Sequence, residues 1–257
     1  MSQLRIVNWD TTKISGESMA DCLYMEDSYL KEFDANVISA KGRYLILDKT
    51  SFYPNSGGVE WDTGKIISKK DGKEYNVIYV GKFEGNVSHE IDKEGLIAGD
   101  EVHCVIDWGR RYKLMRYHTA AHLISGVFNR NYNLLITGNQ LTPEKGRIDL
   151  NMEKFDSEFI KKIIDEANEI IKKDLPVDIY YKDIEEAKKD PSLFKLAMEF
   201  PHEVKKLRIV DIKGFDAQAD GGCHVKSLKE IGKIIFLEAV NKGKSNRRIY
   251  FALEDYE

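Results

Sequence analysis

The chain has 257 residues, of which 42% are hydrophobic and 32% charged, an ordinary composition for a globular protein with a sizeable core. Its formal net charge of −4 argues against broad, nonspecific binding to nucleic acid, so any such partner must bind a local basic patch. The three cysteines are too few for a disulfide framework, and no apolar run reaches the ~18 residues of a membrane span. The first residues also lack a secretory signal. Together these features predict a cytoplasmic protein without a membrane partner.

The first hundred residues predict β structure. Short apolar and β-branched runs are separated by turn signals such as Lys41-Gly42 and Asp71-Gly72, the latter a strong hairpin dipeptide. The predicted strands are Phe33–Ala40, Arg43–Leu47, Lys65–Ser68, Tyr75–Val80, Val87–Ile91 and Glu101–Ile106. This series predicts a small antiparallel β-barrel, which we place in an N-terminal domain of residues 1–107.

The pattern changes at Asp107-Trp-Gly109, after which apolar residues recur with a helical period. The sequence predicts one helix from Arg110 to Phe128 and a second from Asp156 to Lys173, with Asp156 as its cap and Pro176 just beyond. Strands are then predicted at Val177–Tyr181, Leu207–Ile212, Lys233–Val240 and Arg247–Leu253. Residues 108–257 are therefore predicted to form an α+β domain, and the whole chain an α+β protein.

Two histidines on the first predicted helix indicate a metal site. His118 and His122 are four residues apart, so they share one helix face and can bind one cation together. Imidazole is the commonest protein ligand of metals such as zinc. No glutamate lies between the two histidines, which excludes the general base of the His-Glu-x-x-His metalloproteases.

A third histidine, His224, follows Gly221-Gly222, where the backbone can approach a ligand closely. Three histidines match the protein ligands of a catalytic zinc site, which leaves a coordination position open. Asp220 can either supply a carboxylate oxygen to the metal or orient a histidine or a bound water from outside. Cys223 is adjacent to His224 in an extended segment and points to the opposite face, so we interpret it as a small buried residue.

Several segments resemble one protein family. Arg116-Tyr-His-Thr-Ala-Ala-His-Leu123 and Gln218-Ala-Asp-Gly-Gly-Cys-His-Val225 resemble the editing site of alanyl-tRNA synthetase, and more closely the freestanding alanyl-tRNA editing proteins of the AlaX family. The family's glycine-rich motif, the strand pair after its first helix and its closing hairpin have counterparts in the same order. These counterparts are Thr50-Ser-Phe-Tyr-Pro-Asn-Ser-Gly-Gly58 with Asp62-Thr-Gly64, Thr137–Leu141 with Arg147–Asp149, and Glu230–Gly232 with Arg247–Ile249.

The resemblance covers nearly the whole chain and implies both fold and function. The implied fold is a translation-factor-like β-barrel followed by the α+β editing domain that threonyl- and alanyl-tRNA synthetases share. The implied activity is that of a medium-length freestanding editor, which hydrolyses the ester linking serine or glycine to tRNA(Ala) without ATP. One Zn²⁺ per chain would either lower the pKa of a water to roughly 7 or polarise the ester carbonyl.

Three positions depart from the family's pattern. Asp220 stands where the family has a cysteine, a variant associated with some freestanding members. Cys223 replaces the usual threonine. Val59 stands where the glycine-rich motif normally has glutamine, which removes one polar side chain from that loop.

Substrate selection requires a group that recognises the serine hydroxyl, because serine differs from alanine only there. A site that hydrogen-bonds a substrate hydroxyl rejects the analogue lacking it by as much as ~10⁴-fold. Thr137 and Thr119 are our candidates for this group. Each also has a purely structural interpretation, in which Thr137 only occupies a position in a strand and Thr119 only hydrogen-bonds to the preceding turn of its helix. Asp220 is the third residue to which we give a role in catalysis.

The predicted contacts with the tRNA acceptor end lie in four segments. Gly57 and Gly58 are predicted to form a loop that reaches the editing pocket, with a tight β-turn as the alternative, and basic clusters flank the metal motifs. The predicted substrate and tRNA contacts are Gly57, Gly58, Asn139, Arg116, Lys244, Arg247 and Arg248. Two other functions stay open, a zinc-containing RNA-binding module without turnover and a metallohydrolase of another ester. The sequence gives no oligomeric state.

Overall fold

The computed structural model describes residues 21–83, 85–152, 157–194, 205–243 and 246–255. The chain divides into two compact units, one up to Tyr112 and the other from Lys113 onward. This division lies inside the first long helix, whereas the sequence predicts a domain boundary just before that helix. In the described residues the first unit contains a closed barrel, and the second contains two open sheets.

The first unit is built around a β-barrel. Its strands are β1 (Asp21–Cys22), β2 (Glu32–Lys41), β3 (Tyr44–Leu47), β4 (Lys49–Thr50), β5 (Gly64–Ser68), β6 (Glu74–Phe83), β7 (Asn86–Ile91) and β8 (Glu101–Ile106). Six of them close the barrel in the order β2-β3-β7-β6-β5-β8, and β8 pairs back onto β2. All these pairings are antiparallel, which confirms the predicted small antiparallel barrel.

Glycine turns and alternating side chains explain why this segment folds as a barrel. Gly42 joins β2 to β3 with a φ of +60°, and Gly72 joins β5 to β6 with a φ of +70°, a region that side chains disfavour. In β2, Phe33, Ala35 and Val37 are buried while the residues between them are exposed. Every second side chain of the strand therefore faces the core.

A buried ion pair fixes the loop that follows β4. Arg111 and Asp62 are both 1% exposed, and the Nε of Arg111 lies 3.0 Å from each carboxylate oxygen of Asp62. Arg111 also donates to the carbonyl oxygens of Ser28 and Ser51. Asp62 in turn accepts the backbone N–H of Tyr53 at 2.6 Å. The pair thus joins several loops of the first unit through one guanidinium group.

His89 is a second buried polar residue of the barrel. Its Nε2 lies 2.8 Å from the Thr50 hydroxyl, and its Nδ1 lies 3.2 Å from the carbonyl oxygen of Leu45. Because that carbonyl only accepts, Nδ1 donates to it and Nε2 accepts from Thr50. Burial lowers the pKa of His89 from 6.5 to about 4. The folded barrel therefore holds this imidazole in its neutral form.

We expect acid to destabilise the barrel through His89. The unfolded chain binds a proton at this residue below pH 6.5, whereas the folded barrel binds one only near pH 4. The free energy of unfolding is therefore highest above pH 6.5 and decreases as the pH falls, because only the unfolded chain takes up the proton. At pH 5 the expected loss is about 2 kcal/mol. In His89→Gln we expect a smaller difference in the free energy of unfolding between pH 7 and pH 5. Urea unfolding followed by tryptophan fluorescence measures it. The half-buried His103→Gln is the control, and an equal decrease in all three proteins would contradict the expectation.

The second unit combines helices with two sheets. Its elements are the part of α1 (Trp108–Tyr132) that follows Tyr112, and then β9 (Ile136–Leu141), β10 (Gly146–Leu150), α2 (Ser157–Ile171), β11 (Val177–Asp183), α3 (Ile184–Ala187), β12 (Lys206–Ile212), β13 (Asp216–Ala219), β14 (Ile234–Asn241) and β15 (Arg247–Leu253). One sheet has the order β14-β15-β10-β9 and the other the order β11-β12-β13. The α+β class is confirmed. The predicted cap Asp156 lies outside the described residues, and β13 was not predicted because Asp-Ala-Gln-Ala carries no β-branched residue.

Helix α1 places the two histidines of its sequence in the protein interior. Every residue from Leu114 to Phe128 is buried, so this helix has no solvent-facing side over that stretch. Helix α2 is different: Ile160, Ile163 and Ala167 are buried on one face, as its amphipathic pattern predicts. Among the described residues, no helix is long and apolar enough to cross a membrane.

Candidate metal centre

Four side chains of the second unit converge on one point. His118 and His122 come from α1, one turn apart, while Asp220 and His224 come from the loop after β13. Each residue offers one ligand atom, and these four atoms lie within 4.8 Å of one another. The structure thus brings together the three histidines and the aspartate that the sequence singled out.

The spacing of these atoms fits a small cation. Oδ2 of Asp220 lies 3.4 Å from Nε2 of His118 and 3.7 Å from Nε2 of His122, while Oδ1 lies 3.0 Å from Nε2 of His224. Two ligands of a tetrahedral zinc ion, each bound at about 2.1 Å, stand about 3.4 Å apart. Three imidazoles and one carboxylate are also the donor types that zinc accepts. These residues therefore fit a zinc ion.

The charges of the cluster suit a cation as well. Burial alone would raise the pKa of Asp220, but the three surrounding histidines outweigh it and hold that pKa well below its ordinary value. Burial, reinforced by His118 and His122, lowers the pKa of His224 well below its ordinary value. Asp220 is thus ionised and His224 neutral at neutral pH, the forms in which these side chains bind metals.

The loop that carries Asp220 is held from two directions. The backbone N–H of Gly222 donates to Oδ1 of Asp220 at 2.6 Å, which leaves Oδ2 as the oxygen facing the two helix histidines. Nη1 of Arg208, a buried residue of β12, donates to the carbonyl oxygens of Asp220 and Gly222 at 2.9 Å each. Sequence reasoning missed Arg208, because a single arginine inside a strand carries no motif.

Gly222 also sets the position of His118. A Cβ atom at residue 222 would lie 2.3 Å from Cε1 and 2.6 Å from Nδ1 of the His118 ring, closer than side-chain atoms approach one another. The imidazole therefore packs directly on the glycine backbone. This close approach explains the need for glycine that the diglycine pattern indicated.

The other residues predicted for the site lie in different environments. Thr119 is fully buried, and its Oγ1 already contacts Met115, His224 and Val225. Thr137 is exposed on β9, and Asn139 is half-buried, with its carbonyl oxygen 3.4 Å from Nη2 of Arg147. Their roles in substrate selection stay predictions, and of the two threonines Thr137 is the one that solvent reaches.

Gly57 and Gly58 belong to the first unit and form a tight turn. Their φ angles are +60° and +77°, and Ser56 bridges to Val59 across them. This is the alternative that the sequence left open for the pair. Contact of this loop with the substrate stays a prediction.

The predicted tRNA-binding arginines make contacts inside the protein. Arg116 is buried and donates to the carbonyl oxygens of Ile231 and Glu254, at 2.8 Å and 2.6 Å through Nη2. The Nη1 of Arg247, also buried, donates to three oxygens of the β14–β15 connection. These contacts favour a structural role for both arginines over the predicted phosphate binding.

Arg248 pairs with a carboxylate instead of standing free. Its guanidinium forms two parallel hydrogen bonds with Asp149, at 2.7 Å and 2.9 Å. Lys244, the remaining basic residue of the prediction, lies outside the described residues. Binding of tRNA by these side chains stays a prediction.

The sequence is similar to known proteins over most of its length. The family model described as tRNA synthetases class II (A) matches residues 9–110, and the one described as Threonyl and Alanyl tRNA synthetase second additional domain matches residues 207–250. The chain is 44% identical over 238 residues to the alanyl-tRNA editing protein AlaX-M of Saccharolobus solfataricus, covering 92% of this chain and 100% of that protein. It is 45% identical over 243 residues to the AlaX-M protein of Methanosarcina barkeri, with the same coverage.

A longer class of proteins also matches. The alanine–tRNA ligase of Sulfurisphaera tokodaii is 38% identical over 227 residues, which cover 86% of this chain but 25% of the ligase. The chain therefore corresponds to a quarter of that protein, and to nearly all of the AlaX-M proteins.

Proposed function

This chain belongs to the family of alanyl-tRNA editing proteins, and we propose that it hydrolyses the ester bond of tRNA(Ala) mischarged with serine or glycine. The partner in this proposal is the acceptor end of the charged tRNA, and the cofactor is one zinc ion per chain. The cytoplasm stays the location that the composition predicts.

The observation that carries the proposal is the accessible edge of the cluster of three histidines and Asp220. The side chains of His118 and His224 are 3% and 0% exposed, whereas those of His122 and Asp220 are 11% and 15% exposed. The cluster is thus closed on one side and reachable on the other. A structural zinc site is closed and usually contains several cysteines, so this arrangement supports a site that meets a substrate.

Each residue has a definite task in the proposed reaction. His118, His122 and His224 would hold the zinc ion through Nε2, with Oδ2 of Asp220 as the fourth ligand or as the acceptor of a proton from the attacking water. A bound zinc ion would supply Lewis-acid catalysis at the ester carbonyl. Because Asp220 is ionised at neutral pH, its Oδ2 is able to take either role. A variant of this mechanism has the substrate ribose position the water.

The test is deacylation of tRNA(Ala) charged with serine, glycine or alanine. The purified protein is assayed as prepared, after chelation, and after zinc is restored, and serine-charged tRNA(Ser) serves as the control for recognition of the tRNA. We expect rapid, zinc-dependent loss of serine or glycine from tRNA(Ala), while alanine and the control are spared.

Other outcomes would point to other functions. A folded, zinc-loaded protein that binds tRNA(Ala) without deacylating it would be a zinc-containing binding module. Hydrolysis of simple esters without preference for charged tRNA would indicate a different metallohydrolase. Deacylation that survives complete removal of zinc would contradict the role given to the cluster.

Thr137 should provide the selection between serine and alanine. Thr137→Val removes the hydroxyl and nearly keeps the shape, so we expect the preference for serine to fall by about tenfold, the value of one hydrogen bond. Thr137→Ser retains the hydroxyl and should keep the preference. The measurement is kcat/KM for serine- and alanine-charged tRNA(Ala). If the ratio of kcat/KM between serine- and alanine-charged tRNA(Ala) is unchanged in the valine variant, Thr137 does not recognise the serine hydroxyl.

A further inference from the structure

We propose that Thr119 selects the tautomer of His224 and thereby presents the Nε2 lone pair of that ring to the metal. Thr119 is thus a positioning residue, which acts on the metal through another side chain. The inference rests on the metal centre of the proposed function and is independent of which amino acid or tRNA the protein acts on.

The Thr119 hydroxyl has three partners. Its Oγ1 lies 3.0 Å from the carbonyl oxygen of Met115, 3.2 Å from the backbone nitrogen of Val225 and 3.1 Å from Nδ1 of His224. Thr119 is 0% exposed, so no solvent competes for these positions. All three contacts are within the second unit.

The chemistry of these partners assigns the protons. The Met115 carbonyl only accepts, so it takes the single hydroxyl proton, whereas the Val225 N–H only donates and uses one hydroxyl lone pair. The second lone pair is then available to His224, whose Nδ1 must donate to it. A neutral imidazole carries one proton, so Nε2 of His224 is left with a lone pair.

That lone pair faces the cluster. Nε2 of His224 lies 3.0 Å from Oδ1 of Asp220, an oxygen that also accepts the backbone N–H of Gly222 at 2.6 Å. With the ring proton on Nδ1, both Nε2 and Oδ1 are acceptors, and a bound metal ion would satisfy the two together. In the opposite tautomer, Nε2–H would donate to Asp220 and the two residues would form a closed hydrogen-bonded pair. Thr119 therefore decides between a ring that binds metal and a ring that binds Asp220.

The position of Thr119 suits this task. It follows His118 directly on α1, and its bond to the carbonyl one turn earlier fixes its rotamer. By contrast, Nδ1 of His118 is buried and has no hydrogen-bond partner among the described residues. Of these two rings, His224, which comes from the distant loop, is thus the one that a hydroxyl orients.

Zinc affinity tests the proposal without use of the enzymatic reaction. Thr119→Val is nearly isosteric but leaves Nδ1–H of His224 buried without its acceptor, so we expect zinc to bind 10- to 100-fold more weakly, the range for lost partners of metal-bound histidines. Thr119→Ser retains the hydroxyl and should bind within about threefold of the wild type. Both values come from competition with a chromophoric chelator, with far-UV circular dichroism as the check of folding.

The tautomer itself is read by nuclear magnetic resonance. In protein labelled with ¹⁵N-histidine and loaded with ¹¹³Cd²⁺, we expect scalar coupling of cadmium to Nε2 of His224 and a proton on Nδ1. His224→Gln identifies the resonances. This measurement on the wild type decides the tautomer even if Thr119→Val does not fold.

Each result separates this inference from the proposed function. Coupling through Nδ1 of His224, or equal zinc affinity of the wild type and a folded Thr119→Val, would overturn the role of Thr119 alone. A wild-type protein that binds neither zinc nor cadmium would overturn both the metal centre and this inference. Failure to deacylate any charged tRNA, with metal binding as expected, would overturn only the proposed function.

Discussion

Replacing Gly222 with alanine should remove most of the zinc affinity and slow deacylation by about 100- to 1,000-fold, although no functional side chain is lost. The added Cβ would lie 2.3 Å from Cε1 of His118, so either the ring or the loop has to move. The loop is held by the hydrogen bonds of Arg208, and the ring lies in the buried part of α1. Movement of either one displaces a metal ligand from the others.

The experiment pairs this variant with a tolerated glycine substitution. Gly109→Ala adds a Cβ that would lie 3.6 Å from the nearest atom, an ordinary contact, and it replaces a helical glycine, which favours folding. Zinc affinity and deacylation are measured for both variants, together with thermal unfolding. A folded Gly222→Ala protein with wild-type zinc affinity would show that the close packing on His118 is not required.

Replacing Asp62 with alanine should destabilise the first unit by about 3–5 kcal/mol, the cost of leaving a buried charge without its partner. Asp62 and Arg111 are each 1% exposed, so water does not replace the lost carboxylate. The substitution also removes the acceptor of the Tyr53 N–H. We expect no comparable loss from exposed ion pairs, which contribute about 0–1 kcal/mol.

Urea unfolding followed by tryptophan fluorescence measures this effect selectively, because all three tryptophans, Trp9, Trp61 and Trp108, precede Lys113. Glu74→Gln, which breaks the exposed pair with Lys65, is the matched control. The double replacement Asp62→Leu with Arg111→Met should recover most of the stability, since neither charge is then left buried alone. A loss below about 1 kcal/mol for Asp62→Ala would contradict the importance of the pair.

The barrel was predictable because its signals are local. The dipeptides Lys41-Gly42 and Asp71-Gly72 mark turns whose glycines have positive φ, and the buried residues of β2 alternate along the chain. Closure of the strands into a barrel follows from their number and spacing. The β1–β4 pair was not predictable, because two residues in each strand are too few to show any alternation.

The ligands of the candidate site were predictable for a different reason. His118 and His122 share a helix face at any position in a fold, and the diglycine before His224 signals a close backbone approach. The supporting contacts carry no such signal. Arg208 reaches the loop only because β12 runs beside it, and the contact of Thr119 with His224 joins residues 105 positions apart.

The basic residues show that a sequence does not reveal the burial of a charged side chain. Arg116 and Arg247 look like phosphate ligands in a sequence that gives no burial, yet both are buried and donate to carbonyl oxygens. Arginine has five donors in a fixed plane, which suits it to join several backbone segments as well as to bind phosphate. Only tertiary structure distinguishes the two uses.

The separation of the ligands along the chain has a consequence for synthesis. Two ligands leave the ribosome with α1, but the other two follow about a hundred residues later, after the strand β13 that precedes their loop. A nascent chain that ends before this loop has two histidines on a helix but lacks the other two residues of the cluster. Binding of a metal by all four residues would therefore follow completion of the second unit, and its free energy would add to the stability of that unit only once the loop has docked.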